Sequence, residues 1–297
     1  MHQLQQSDFL NIASCDFQHI TWPLVITQTG FTWTKNTGSL VLAMSKKHVL
    51  EANKNNHVNA IICPEKLHRF CQKPCIISDQ AESIFFSLHN RLSTKSHQNY
   101  IDDFAQISAS AHIEPGVCIA ENVIIEANCY IGSGSTIKQN AYIGPNTIIG
   151  SQGMLPKNIL GQKTHIQHLG GVIIEEHCVI HASSNISKAL HYGDHTLVGA
   201  RSHLGIQVNI AHDVTVGENC EISGQTIIAG RASIGDHVWI GANVTVSNWV
   251  TIGDHASIKL GSTVINDVAS YQEVSGNFAI NHKKNLLSHA LKLQGKA

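Results

Sequence analysis

From Ile107 onward, every sixth residue of the chain is aliphatic. The series reads Ile107, Ile113, Ile119, Ile125, Ile131, Ile137, Ile143 and Ile149, breaks, and resumes at Ile174, Ile180 and Ile186. It then passes through Tyr192 and continues as Val198, Leu204, Ile210, Val216, Ile222, Ile228, Ile234, Ile240, Val246, Ile252, Ile258 and Val264. Tyr192 is the one position of the series that is not Ile, Leu or Val. An α-helix repeats its buried face about every 3.6 residues and a hairpin strand alternates every second, so neither sustains a beat of six. A triangular coil does. Three sides of six close one turn, and successive turns stack as parallel strands about 4.8 Å apart. The pattern predicts a mainly β solenoid with three interior aliphatic columns. Gly or Ala often follows the aliphatic residue, as in Ile131-Gly132, Val216-Gly217, Ile228-Ala229, Ile234-Gly235, Ile240-Gly241 and Ile252-Gly253. Small residues there read as suited to tight corners.

The interval from Ile149 to Ile174 exceeds a multiple of six by one. The segment 151–171 therefore leaves the coil as an inserted loop, and long excursions from a rigid scaffold commonly carry function. Residues 1–104 lack the beat. Apolar runs from Pro23 to Thr27 and from Ser39 to Ala43 alternate with helical stretches at His48–Asn55 and Gln80–Arg91, and Val58–Cys63 follows the first of these. This mixture predicts a small α/β domain, ahead of a solenoid over 105–274. In the tail, 275–297, Leu286, Leu287, Ala290, Leu291 and Leu293 mark a short amphipathic helix over Asn281–Leu293, suited to capping the last open coil.

Composition narrows the function. In 297 residues, Lys plus Arg is 20 against 21 Asp plus Glu, so charge argues for neither nucleic acid nor a membrane surface as partner. No run approaches the ~20 apolar residues of a membrane span, and the N-terminus lacks export features, so a cytoplasmic protein is expected. The eight cysteines are dispersed and read as reduced thiols. Cys71 and Cys75 are the one tight pair, weak as a zinc signal without a matching second pair. His177 and His181, with His165 and His168 nearby, are the alternative imidazole set for a metal-dependent hydratase, but their spacing fixes no three ligands, and no metal site is assigned.

Among 20 histidines, His212 stands out by its place in the repeat. It lies two positions past a column residue in Asn209-Ile-Ala-His-Asp-Val214, and a count of one coil either way puts Asp194 and Gly230 at the same corner. Amide formation from a thioester needs a base for the attacking amine and a donor for the developing oxyanion. His212, with a reference pKa of about 6.5, suits the base. The Gly230 N–H suits the oxyanion, since glycine permits close approach. Asp194 and Asp213 are the candidates to orient the imidazole.

With these residues placed, the chain resembles UDP-3-O-acylglucosamine N-acyltransferase of the lipid A pathway and related hexapeptide-repeat sugar N-acyltransferases. The likeness covers the architecture and is strongest over Gly170–Glu175, Asn209–Val214 and Ile228–Gly230. It implies a left-handed parallel β-helix and a cytoplasmic homotrimer with active sites in the grooves between neighbouring helices. It further implies His212 as base, Gly230 as oxyanion donor and no tightly bound cofactor. The acyl donor is acyl carrier protein or acyl-CoA, and the acceptor a nucleotide-linked amino sugar, as in lipopolysaccharide biosynthesis. Asn209, Asn248, Trp249 and His48 fall at substrate-contact positions. The chain departs from the lipid A pattern in four places. Gly205 replaces an Asp, and Trp249 stands where a second histidine is expected. Leu42 and His48 replace the base-stacking aromatics, and Ser187-Lys188 replaces an Asp-Arg pair. A deoxyamino sugar of a surface glycan therefore stands beside the lipid A acceptor. O-acyl transfer and a non-enzymatic scaffold remain the alternatives.

Overall fold

The computed structural model describes residues 25–92, 99–276 and 282–293. The aliphatic beat there becomes three parallel sheets wound as a left-handed β-helix, two of eight strands and one of nine. Backbone ladders set Ile210 beside Ile186 on one side and Ile228 on the other, and Ile228 beside Val246. The columns bury almost completely and form one continuous apolar core. Successive coils pair through single short strands, as at Asn209–Ile210 and Ile227–Ile228. The solenoid opens at Tyr100–Ile101, one side earlier than the boundary expected at 105, because Ile101 pairs with Ile119. Its last strand is Glu273–Val274, paired with Ser257–Ile258.

Tyr192 is not a column residue. Ile174 pairs with Val198 and Ile186 with Ile210, so this coil is longer than those that follow it by the equivalent of one full side. Ile186 and Val198 lie on adjacent sides of the triangle, and a count by sixes mistakes the excursion between them for a side. The corner below His212 thus belongs to Lys188, not to Asp194.

The small residues after each column position also have a different cause from the one expected. A Cβ on Gly205 would stand 2.5 Å from the Gly224 nitrogen, and one on Gly241 2.6 Å from the Leu260 nitrogen. The backbone of the next coil excludes a side chain there. The left-handed turn residue comes two positions later and is rarely glycine: Asn219, His237, Asn243 and Asp213 have φ of 53°, 56°, 58° and 59°. Asn and Asp accept this conformation at lower cost than most residues.

The N-terminal domain is a four-stranded parallel sheet in the order β1 (Gln28–Gly30), β2 (Ser39–Leu42), β3 (Val58–Cys63) and β4 (Cys75–Ile77). Helix α1 (Lys46–Lys54) starts where the Ser45 hydroxyl accepts from the His48 amide at 3.2 Å and buries Val49 and Ala52. Helix α2 (Ala81–Arg91) buries Ile84, Phe85, Phe86 and Leu88. Pro23 and Leu24 of the first expected apolar run, and Cys15, lie outside the described residues. The inserted loop forms an antiparallel hairpin, Pro156–Ile159 with Gln162–His165. Both excursions are drawn into the N-terminal core, where Ile166, Leu169 and Leu190 pack with Ile84, Phe85 and Leu88. Lys157 pairs with Glu82 of α2 at 2.6 Å. The domain is thereby seated on the side of the β-helix.

Helix α3 (His282–Leu293) forms as expected, and its Leu286 is 57 % exposed. No described helix is long and apolar enough to cross a membrane. Among the described residues no cluster of three His, Cys, Asp or Glu is arranged to hold a metal ion. Cys71 lies against Cys63, 3.8 Å between sulfurs, and interacts with Cys75 as well.

Ile228 fills the middle of one column. Its replacement by Ala is expected to cost about 2–5 kcal/mol, because neighbouring coils cannot close on the void. Equilibrium urea unfolding of Ile228→Ala measures this, and a loss below about 1 kcal/mol would show that the columns do not carry the fold.

Candidate active site

Four residues stack at one corner of the β-helix along its axis: Lys188, His212, Gly230 and Asn248, each two positions past a paired column residue. The next corner position stacks Asp213, Arg231 and Trp249, all left-handed, with φ of 59°, 65° and 66°. This turn aims the Asp213 carboxylate back at its neighbour. His212 Nδ1 meets Asp213 Oδ2 at 2.7 Å. A carboxylate only accepts, so Nδ1 carries a proton, and in the neutral ring Nε2 then holds the lone pair that a general base requires. Asp213 is itself held: its Oδ1 accepts from the Leu190 amide at 3.0 Å, and its amide donates to Thr196 Oγ1 at 2.9 Å.

Gly230 lies under the imidazole. A Cβ there would stand 2.9 Å from His212 Nε2, so only glycine leaves the ring in place. The Arg231 amide is taken by the His212 carbonyl at 3.0 Å and that of Ala229 by Val246 at 3.0 Å. The Gly230 amide between them has no backbone partner among the described residues. A base and an N–H without a backbone acceptor therefore sit at adjacent rungs.

Asp194 is not stacked with this pair. It accepts from Asn36 Nδ2 of the N-terminal domain at 2.8 Å. Burial, with the Asp213 charge nearby, pushes its carboxyl up to about 7. Of the two candidate orienters, Asp213 is the one in contact with His212. Asn209 belongs to an outward polar pair with Asn185, 3.1 Å apart, and Asn248 touches Ser247.

Beside the dyad, a cleft of about 420 Å³ opens between the N-terminal domain and the β-helix. Leu42, His48 and Trp249 line it, together with Lys47, Lys157, Arg231, Glu51 and Glu82. His212 itself is 8 % exposed and is not part of the cleft lining, which reaches the dyad through Arg231. The aromatics that dominate the cleft were not foreseen. Phe31 and Trp33 stack at 4.8 Å, and Trp33 meets Trp249 edge-on at 5.9 Å. The Arg231 guanidinium sits 5.0 Å from both the Phe31 and Trp249 rings, with its Nε 3.7 Å from Asp213. Burial lowers the Arg231 pKa, and Asp213 opposes that shift. Strand alternation gave no signal for the aromatics, because Phe31 and Trp33 lie in the turn after β1, where the Thr34 amide donates to the Phe31 carbonyl at 3.0 Å.

Histidines crowd behind the dyad. His168, brought in by the inserted loop, packs its ring 4.8 Å from that of His212 and is 1 % exposed, with neither ring nitrogen hydrogen-bonded. Burial, with His212 adding to it, pushes its pKa down to about 3, and burial brings His89 down to about 4. Both are folded in the neutral form. Their contribution to stability is full above the unfolded value of about 6.5 and is lost as pH falls through it toward the two folded values. Urea unfolding at about pH 7.5, 6 and 5 is expected to show a shallower acid loss in His168→Leu than in the wild type. Parallel losses would contradict this.

The bacterial transferase hexapeptide (six repeats) family pattern matches residues 122–155 and 231–266. No curated protein matches the chain. Among solved structures, it is similar to the UDP-N-acetylglucosamine acyltransferase of Campylobacter jejuni. The match has a TM-score of 0.50 and 21 % identity, over 66 % of this chain and 82 % of that one. The UDP-N-acetylglucosamine O-acyltransferase of Moraxella catarrhalis matches with a TM-score of 0.45 and 26 % identity, over 64 % and 76 %. A perosamine N-acetyltransferase mutant from Caulobacter crescentus, in complex with CoA and GDP-perosamine, matches with a TM-score of 0.20 and 16 % identity, over 74 % and 67 %. The Campylobacter likeness is one of fold.

Proposed function

We propose that this hexapeptide-repeat β-helix protein is an acyltransferase that moves an acyl group from a thioester to the amine of a nucleotide-linked amino sugar. The observation that carries the reading is the His212–Asp213 dyad with its free Nε2 against Gly230, joined through Arg231 to an aromatic cleft. In the reaction, His212 Nε2 takes a proton from the amine as its nitrogen attacks the thioester carbonyl. The imidazolium that forms is stabilised by Asp213, as in other base–carboxylate pairs. The Gly230 N–H donates to the oxyanion of the tetrahedral intermediate. Collapse expels the thiolate, which recovers the proton from His212, leaving an amide and a free thiol.

Arg231 supplies positive charge for a diphosphate, with Lys47 and Lys157 beside it in pairs with Glu51 and Glu82, and the exposed faces of Trp33 and Trp249 supply flat apolar surface for a base or sugar. The donor is acyl-CoA or acyl carrier protein, carriers that suit a cytoplasmic enzyme. Ile206, Leu260 and Ile265 are exposed on the outside of the β-helix, which supports a homotrimer with the helices side by side.

His212→Ala and Asp213→Asn test the reading. With acetyl-CoA and a panel of UDP- and dTDP-linked amino sugars, His212→Ala is expected to lose at least about 100-fold in turnover. Asp213→Asn should lose a comparable factor while circular dichroism stays native. Mass and base lability of the product separate amide from ester. Wild-type turnover in His212→Ala, or no transfer to any amino sugar by the wild type, would overturn the proposal.

A further inference from the structure

Three buried side chains run from the N-terminal domain to the cleft and are not used by the dyad: His89 of α2, Thr29 of β1 and His191 of the second excursion. They are 0 %, 2 % and 2 % exposed. His89 Nε2 lies 2.7 Å from the Gln167 carbonyl of the inserted loop, Thr29 Oγ1 is 2.6 Å from His89 Nδ1, and the same oxygen is 3.1 Å from His191 Nδ1.

These contacts permit one direction of donation. A carbonyl only accepts, so His89 Nε2 carries a proton. Complete burial without a carboxylate partner keeps that ring neutral, so Nδ1 is a lone pair and the Thr29 hydroxyl must donate to it. The hydroxyl has a single hydrogen. Toward His191 its oxygen can only accept, and His191 Nδ1 must donate. His191 is also neutral: burial first, then His89 and Arg231, hold its pKa well below the ordinary value. Its Nε2 is therefore unprotonated.

His191 lines the cleft, and with Nδ1 committed to Thr29, Nε2 is the polar atom of the ring left for a ligand. The ring is held edge-on to Phe31 at 4.5 Å and to His89 at 5.1 Å. The amide of its neighbour Leu190 donates to Asp213, so the ring is anchored one residue from the dyad's support. We propose that His191 is a specificity-determining residue whose Nε2, locked as an acceptor by the Gln167–His89–Thr29 relay, takes an uncharged N–H or O–H donor of the acyl acceptor. The inference rests on the reading of the cleft as the acceptor site. It assigns anionic groups elsewhere, to Arg231 and the lysines, because a lone pair repels them. The donor is a ring N–H of the base or a hydroxyl of the sugar.

The protein labelled with 15N-histidine tests the tautomer, with His191 assigned by its loss in His191→Phe. The free protein is expected to show Nδ1 protonated and Nε2 unprotonated. Thr29→Ser should preserve that state, and Thr29→Val should mix the tautomers. Titration with UDP, CDP and UDP-N-acetylglucosamine then tests the ligand. Wild type and Thr29→Ser should bind alike. Thr29→Val and His191→Phe should bind about tenfold more weakly, the size of one hydrogen bond. If these two variants erase a preference for UDP over CDP, the donor is on the base. If they weaken only UDP-N-acetylglucosamine, it is on the sugar. A protonated Nε2 in the free protein, or wild-type affinity in both variants, would overturn the proposal. Binding of none of the three probes, nor of dTDP, by the wild type would overturn the nucleotide-sugar reading and the ligand half of this inference. The free-protein spectrum would still decide the tautomer.

Discussion

Everything in this molecule depends on the ladder of hydrogen bonds between one coil and the next. Each short strand pairs with its counterpart one coil away, and the interior columns place Ile on Ile with little freedom to slip. A slip of one residue would turn a column outward, since neighbouring strand positions face opposite sides. That constraint turns sequence distance into spatial distance. It is why His212 and Gly230 are neighbours and why the left-handed corner at Asp213 can fold its carboxylate onto the imidazole.

The ladder by itself makes a rod with a polar exterior. Two interruptions convert it into a protein with a cleft. The hairpin excursion and the shorter excursion that carries His191 leave the β-helix on the same side and complete the core of the N-terminal domain through Ile166, Leu169 and Leu190. Polar contacts fix the fit, with Asn36 on Asp194, Lys157 on Glu82 and Asn90 on the His165 carbonyl. These same excursions deliver His168 against the dyad and His191 to the cleft. The loops that fasten the domain are thus the loops that surround the chemistry.

The electrostatics follow from where that junction closes. Burial at the contact holds His89, His168 and His191 neutral and pushes Asp194 up to about 7. His212 and Asp213 sit at the edge of this low-polarity zone, next to a guanidinium packed against two aromatic rings. A pair of hydrogen-bonded groups in such surroundings is held in one arrangement, because neither partner has water as an alternative.

The β-helix was legible because a six-residue period has few structural solutions, and each Ile of the beat reports its own burial. His212 and Gly230 were legible for the same reason, being one coil apart with no insertion between them. Counting failed where the chain left the beat. The stretch from Ile186 to Val198 looks like two sides, and only the pairing of Ile186 with Ile210 reveals an excursion, which removes Asp194 from the stack and installs Lys188. Phe31, Trp33 and His191 obey no common period, so their meeting with Trp249 and Arg231 was decided by how the N-terminal domain docks. Local periodicity determined the scaffold and the spacing of the dyad from Gly230. Tertiary packing, through contacts between segments as distant in sequence as Thr29 and His191, decided the cleft and the protonation of the rings around it.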